Sequence, residues 1–344
     1  MRRAVALLVL PLAIAALVAW DAPGHRTVTE VALDLLPDGM PSWLRDPHVR
    51  AQVEFQSNEP DHYRGVKNAV LAHENNPDHY MDVELLDKHH LSLRTLPPLR
   101  YEFVAQLVRT ATPEPAPEPG TDGSKPPRRG VDRRALTDDL GFVPYAIAEH
   151  YAKLVSSFST LRILEQLDQP ARADELAAAK ANVVHEMGQL SHFVGDAAQP
   201  LHTTIHHHGW VGANPDGFTT DRNFHARIDG EVVALHRLDA PAIAAAKVAR
   251  KEIAPDKVWE ETIGLLERSF AAVRPLYLAE KDGTLDQEPG RLLIRERMAD
   301  AAAVLAGLYA AAWKESEPTE QGVRDFVRYD RLEGAARPSA GPGS

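Results

Sequence analysis

Two His-x-x-x-Asp pairs, His192/Asp196 in HFVGD and His225/Asp229 in HARID, are the residues most suited to chemistry in this chain. On a helix, residues four apart lie one above the other, so each pair can aim an imidazole and a carboxylate at one point. Neutral imidazole and carboxylate together are ligands of the zinc type. Between the pairs, Pro200 in QPLH ends a helix and turns His202 back toward it. Eight of the 16 histidines fall between His185 and His236. In ANVVHEMGQLSHFVGD, a helical advance of about 100° per residue puts His185, Gln189, His192 and Asp196 on one stripe. Val183, Met187, Leu190 and Val194 take the opposite side. A merely solvated stripe favours Lys and Glu; His, Gln, His and Asp suggest metal binding or catalysis. Two pairs with an intervening His are a stronger signal than either pair alone.

The elements that must position these residues read as helices. Ala, Leu, Val, Ile and Glu recur at spacings of three and four over 139–168, 172–199, 240–282 and 290–315. No alternating strand pattern interrupts them, so the expectation is all-α, one large helical domain over 20–317. Residues 112–130, TPEPAPEPGTDGSKPPRRG, read as an exposed Pro-rich loop, and 318–344 as a disordered tail. At the start, Arg2 and Arg3 precede an apolar run, Ala4 to Ala19. That run falls short of the roughly 20 residues of a membrane span, and Ala19 suits a cleavage site. Residues 1–19 are therefore expected to be a secretory signal, which makes the mature protein secreted or periplasmic.

Without Arg2 and Arg3, 36 Lys and Arg face 49 Asp and Glu, a net charge of −13. Such a balance argues against a basic duplex-binding footprint and against adhesion to anionic lipid. It leaves phosphate substrates open where a metal supplies local positive charge. With no cysteine in the chain, disulfides, thiol nucleophiles and thiolate sites are excluded, so any metal falls to His, Asp, Glu or backbone.

After cleavage the chain would begin WDAPGH. The freed α-amine and carbonyl of Trp20 could chelate a metal together with His25; the alternative is an N-terminal Trp that simply packs. WDAPGH, EPDHYR, HYMD, HFVGDAAQPLH and GAN…NFHARID, in this order, resemble the superfamily of zinc-dependent phospholipases C and secreted single-strand nucleases. The resemblance covers most of 20–315 and implies that fold with three zinc ions. By it, Asp61, His79, His192 and Asp196 hold one zinc, and Asp196 bridges to a second held by His25 and Trp20. His202, His225 and Asp229 hold the third. His73 competes with His79, but HYMD fits the family pattern and HENN does not. His185 sits one turn beyond the ligands, and His206, His207 and His208 read as a loop beside the site.

Spacings within the superfamily favour the nuclease branch. Trp20 to His25 is five residues, His202 to His225 is 23 with GAN inside, and the last ligand is Asp229 where phospholipases prefer Glu. The resemblance gives Arg64, three after Asp61, a catalytic role on the transition-state charge; the plain alternative is a surface pair with Asp61. It makes Tyr80 and Asp82 the base-binding aromatic and acid, and puts Asn214 of GAN at the substrate. Ile228 stands where the nucleases tend to have Trp, and the family's disulfide cysteines are missing. The implied reaction is hydrolysis of single-stranded DNA or RNA by zinc-bound hydroxide, giving 5′-phosphorylated products. Phospholipid headgroup hydrolysis is the alternative, and a non-catalytic extracellular zinc binder the other. Three-ligand sites with open positions argue against the last.

Overall fold

The computed structural model describes residues 22–110 and 140–329; residues 1–19, expected from the sequence to be a signal, Trp20 and the stretch 112–130, expected to be a loop, lie outside them. The described residues are helical and contain no strand, as the periodicity predicts. Helix α1 runs Ala22–Asp34 and α2 Pro47–Gln56. Asp46 caps α2 by accepting from His48 N and Val49 N, and Pro47 fits its first turn. Two short helices follow, α3 over Glu59–Gly65 and α4 over Ala69–Asn75, and then α5 over Arg100–Thr110.

The long helices α6, Val143–Leu167, and α7, Ala173–Ala198, form the centre of the molecule. Helix α7 packs against α6, α2 and α1, and against two later helices, α8 (Val258–Ala271) and α10 (Glu288–Glu315). Its first turn carries Asp174 and Glu175, which suit the positive end of the helix dipole. From Met187 to Ala198 every residue of α7 is buried. Its polar stripe is therefore not solvated at all in this half, and Gln189, Ser191, His192 and Asp196 must find partners inside the protein. Gly188 lets α2 approach, since a Cβ there would stand 2.2 Å from Gln56 Cβ. Among the described residues no helix is long and apolar enough to cross a membrane.

Two sequence expectations are corrected. The 240–282 run is not one helix: it breaks after Ala240–Ala244, and resumes as α8 and α9 (Val273–Lys281). Lys247 adopts a positive φ of 54°, Pro255 starts a separate turn, and Lys251 N bonds to Ala303 O of α10. Gly307 accommodates that crossing, because a Cβ would lie 2.4 Å from Lys251 O. Alanine periodicity does not encode such a tertiary bond. The supposed tail begins with a helix, α11, over Glu320–Tyr329. Its Phe326 rests against the core with the Arg172 guanidinium 5.9 Å from the ring.

Candidate metal centre

Five segments deliver the candidate ligands to one place. Helix α1 carries His25 on the face it shares with Val28, Thr29 and Ala32, all buried. Thr29 Oγ1 donates to His25 O and meets Ser191 Oγ at 2.7 Å, which docks this face on α7. Helix α3 brings Asp61, and a tight turn over Asn76–His79 brings His79. Helix α7 supplies His192 and Asp196 and ends at Gln199, where Pro200 diverts the chain into a turn holding His202. His225 and Asp229 lie on a helical stretch with a π-helical segment at Arg227–Val232. Such π-turns often mark functional positions, and nothing in the local sequence announced it.

Three groups of ligand atoms converge, each within 4.8 Å: His25, Asp61 and His192; His79, His192 and Asp196; and His202, His225 and Asp229. His79 Nδ1 stands 2.9 Å from Asp196 Oδ2 and 3.0 Å from His192 Nε2, with His192 Nε2 3.2 Å from Asp196 Oδ2. In the third group, His225 Nε2 is 3.1 Å from His202 Nε2 and 3.0 Å from Asp229 Oδ2. These separations are the size of a coordination shell, since zinc bonds of about 2.0–2.1 Å give a tetrahedral edge of about 3.3 Å. Asp61 adds a more distant carboxylate, 3.9 Å from His79 Nδ1. Asp196 Oδ1 faces His25 Nε2 at 3.5 Å and His202 Nδ1 at 3.8 Å.

The donor chemistry fits a divalent cation. His192 Nδ1 donates to Ser57 O and His202 Nδ1 to His79 O, so each Nε2 keeps a bare lone pair turned inward. Among the described residues, neither ring nitrogen of His25 finds a hydrogen-bond partner, nor does Asp196 Oδ1, although all are buried. Buried polar atoms without partners are costly unless something satisfies them, and a cation would do so here. His25 lies where it does because residue 195 is glycine: a Cβ there would be 2.7 Å from His25 Nδ1. The His25 and His192 rings then stack at 4.1 Å.

Burial holds His79 and His202 down to about 4 and His225 to about 3, against opposing pulls from Asp196 and neighbouring carboxylates. All three are therefore neutral, as ligands must be, near neutral pH. Asp196 is held well below the usual carboxylate range: burial opposes this, but His192 and His202 prevail. Asp61 is lowered, with burial opposing and His192 and His79 lowering. His192 is raised, burial being outweighed by Asp196 and Asp61.

The remaining sequence candidates divide. Arg64 Nη1 bonds Asp61 Oδ1 at 3.3 Å, and its charge helps depress His79, His208 and His225. Tyr80 and Asp82 belong to a segment clamped by Phe142 N on Pro77 O, Val143 N on Tyr80 O, Asp82 N on Leu140 O and Met81 N on His202 O. Asp82 is buried, 4.0 Å from His207 Nδ1, and the His208 ring is 5.6 Å from that of His225. The histidine loop thus flanks the third group, as expected. Asn214 spends its amide on its own loop, donating to Phe218 O and accepting from Phe218 N. His73 is exposed and His185 bonds Gln56 Oε1, so neither joins a ligand group. Ile228 is a core residue. Sequence reasoning missed Gln199, which donates to Asp229 Oδ1 at 2.8 Å, and Asn75, beside His79. Gln199 belongs to the quoted QPLH; its place next to Pro200 was the available signal. No family model matches the chain, and no curated protein matches it.

Two outcomes follow from this geometry. Gly195→Ala should destabilise the fold by ~1–3 kcal/mol through overpacking against His25. The same change in a His25→Ala background should cost little; urea unfolding of the four proteins measures the difference, and equal costs in both backgrounds would contradict the steric role. In chelator, the protein should lose stability on acidification. His79, His202 and His225 have folded pKa values below the ordinary 6.5, so the unfolded chain binds more protons below that pH. Stability should therefore fall from about pH 6.5 toward pH 4, at up to about 1.4 kcal/mol per unit for each group. The lowered carboxylates continue the loss below their ordinary range, whereas raised His192 adds stability only as the pH falls toward 6.5 from above and leaves the loss below that pH unchanged. Melting temperatures that stay flat between pH 7 and 4 would refute this.

Proposed function

We propose that this chain is a three-zinc phosphodiesterase, delivered across a membrane by residues 1–19, that hydrolyses single-stranded nucleic acid to 5′-phosphorylated products. The observation that carries the reading is the convergence of three His/Asp groups around one buried carboxylate, Asp196, with Arg64 beside them. Asp61, His79, His192 and Asp196 would hold one zinc, Asp196, His25 and Trp20 a second, and His202, His225 and Asp229 a third. Bound zinc lowers the pKa of water to about 7 and polarises phosphate oxygens. The protein's own part is to orient and to balance charge. Three carboxylates among the ligands leave a pocket with three divalent ions net positive within an acidic chain, so a phosphate is attracted without a basic groove.

Arg64 would bind a non-bridging phosphate oxygen as charge develops there, with its bond to Asp61 fixing its approach. Tyr80 offers a ring for stacking and Asp82 an acceptor for an unpaired base. A second reading, phospholipid headgroups, draws on the residues that follow Arg64: Val66 and Val70 are 55% and 77% exposed. Single-stranded DNA and lipid vesicles assayed side by side separate the two.

Purified mature protein should hold about three zinc ions per chain, and chelation should abolish hydrolysis of both substrates. One ion or fewer after zinc supplementation would overturn the reading. Arg64→Ala should keep its zinc and fold yet lose on the order of 10²–10³ in turnover, as for a removed transition-state donor. Turnover equal to the parent's would return Arg64 to a surface pair with Asp61.

A further inference from the structure

We propose that Asn75 is a positioning residue that fixes the tautomer of His79 and thereby governs how readily the His79–His192–Asp196 group accepts a divalent cation. The inference rests on the metal reading of that group and concerns a residue which that reading leaves unused.

Asn75 is buried, 4% exposed, at the end of α4. Its Nδ2 donates to Pro60 O at 2.9 Å and lies 3.0 Å from His79 Nε2. A main-chain carbonyl can only accept, so Pro60 O determines which end of the amide faces it. With Nδ2 so fixed, its second hydrogen points at His79 Nε2, which must accept. The proton of neutral His79 is therefore on Nδ1. That nitrogen is the one turned into the ligand group, 2.9 Å from Asp196 Oδ2 and 3.0 Å from His192 Nε2. The Asp196 carboxylate accepts that proton by its charge.

The ligand histidines are thus preset in opposite senses. Carbonyl acceptors on His192 and His202 leave a lone pair facing inward, the arrangement a cation requires. At His79 a donor on the outer nitrogen leaves a proton facing inward. For Nδ1 to bind a cation as neutral imidazole, the proton must pass to Nε2, with no net proton gained or lost by the ring. Nε2–H then needs an acceptor, so the Asn75 amide must turn its Oδ1 to the ring and release Pro60 O. Pro60 precedes Asp61, so the same amide also ties the helix carrying Asp61 to His79. Cation uptake at this group is thereby coupled to rotation of the Asn75 side-chain amide.

The test replaces the amide with an acceptor of the same shape, Asn75→Asp. Nitrogen-15 shifts of chelator-treated protein should report Nδ1–H for His79 in the parent and Nε2–H in the variant. In a His225→Ala background, which removes a ligand of the third group, zinc competition against a chromophoric chelator should show tighter binding in Asn75→Asp. The gain expected is on the order of 10–100-fold, the usual weight of an outer hydrogen-bond partner of a ligand histidine. Nε2–H in the chelator-treated parent, or a folded Asn75→Asp with unchanged or weaker zinc affinity, would overturn the proposal. Should Asn75→Asp not fold, the parent's tautomer alone still decides it. Absence of zinc binding by the parent would instead overturn the metal reading, a result separable from the tautomer measured in chelator.

Discussion

A carboxylate with no solvent exposure sits at the middle of this molecule, and the surrounding structure is organised by the need to keep it charged. Asp196 meets His25, His79, His192 and His202 within 4 Å. An isolated buried carboxylate would cost several kcal/mol in lost hydration, and it would neutralise itself by taking a proton. Here the imidazoles hold it in the charged form even though burial pushes the other way. Each imidazole comes from a different part of the chain or a different turn, so the demand of one charge brings α1, the turn before Tyr80, α7 and the QPLH turn to a common point. Four imidazoles around one carboxylate exceed what ion pairing needs. The buried nitrogens of His25, which find no hydrogen-bond partner among the described residues, could be satisfied by a metal ion.

That arrangement is possible only because the end of α7 is buried on all sides. A helix covered on every face cannot be amphipathic in the ordinary sense, and its polar residues must be matched one by one. Ser191 is matched by Thr29, His192 by Ser57 O, and Asp196 Oδ2 by His79 and His192, while Gln189 Nε2 and Asp196 Oδ1 find no hydrogen-bond partner among the described residues. Close approach of neighbours is bought with glycine at 188 and 195, a full two turns apart and hence on one face. Gly188 admits the backbone end of α2, and Gly195 admits the ring of His25. The apolar side of α7, with Met187, Leu190 and Val194, is fully buried in the core behind these ligand atoms.

Much of this was legible in the sequence, and what was not has a common physical cause. Helical periodicity shows the long elements, because a buried face repeats every three to four residues. His-x-x-x-Asp shows His192 with Asp196 and His225 with Asp229, because one helical turn is local. The preference for His79 over His73 agrees with burial of the one and exposure of the other. Illegible were the contacts made by carbonyl oxygens, which every residue possesses: Ser57 O on His192, His79 O on His202, Pro60 O on Asn75. Equally silent were the π-turn around Asp229 and the bond from Lys251 to α10 that breaks the supposed 240–282 helix. Asn214 shows a further contact that its motif does not announce: its place in GAN suggested substrate, and its amide closes a loop on Phe218. Side-chain amides fit so many partners that motif membership does not reveal which one they take.

The ligand groups are also less independent than a division into three ions suggests. His79 serves the His79–His192–Asp196 group by its imidazole and the third by its carbonyl, which fixes the tautomer of His202. In return, Met81 N donates to His202 O, so the two turns brace each other through main-chain bonds in both directions. Gln199, one residue past α7, then carries the linkage onward by donating to Asp229. A displacement of Asp196 therefore reaches Asp229 along α7 and Gln199, and reaches His202 across His79. Coupling of this kind would hold the spacing between ligand groups constant. On the proposed phosphodiesterase reading, a phosphodiester would have to be held at both its attacked phosphorus and its leaving oxygen, and groups on separate flexible loops would not preserve that distance.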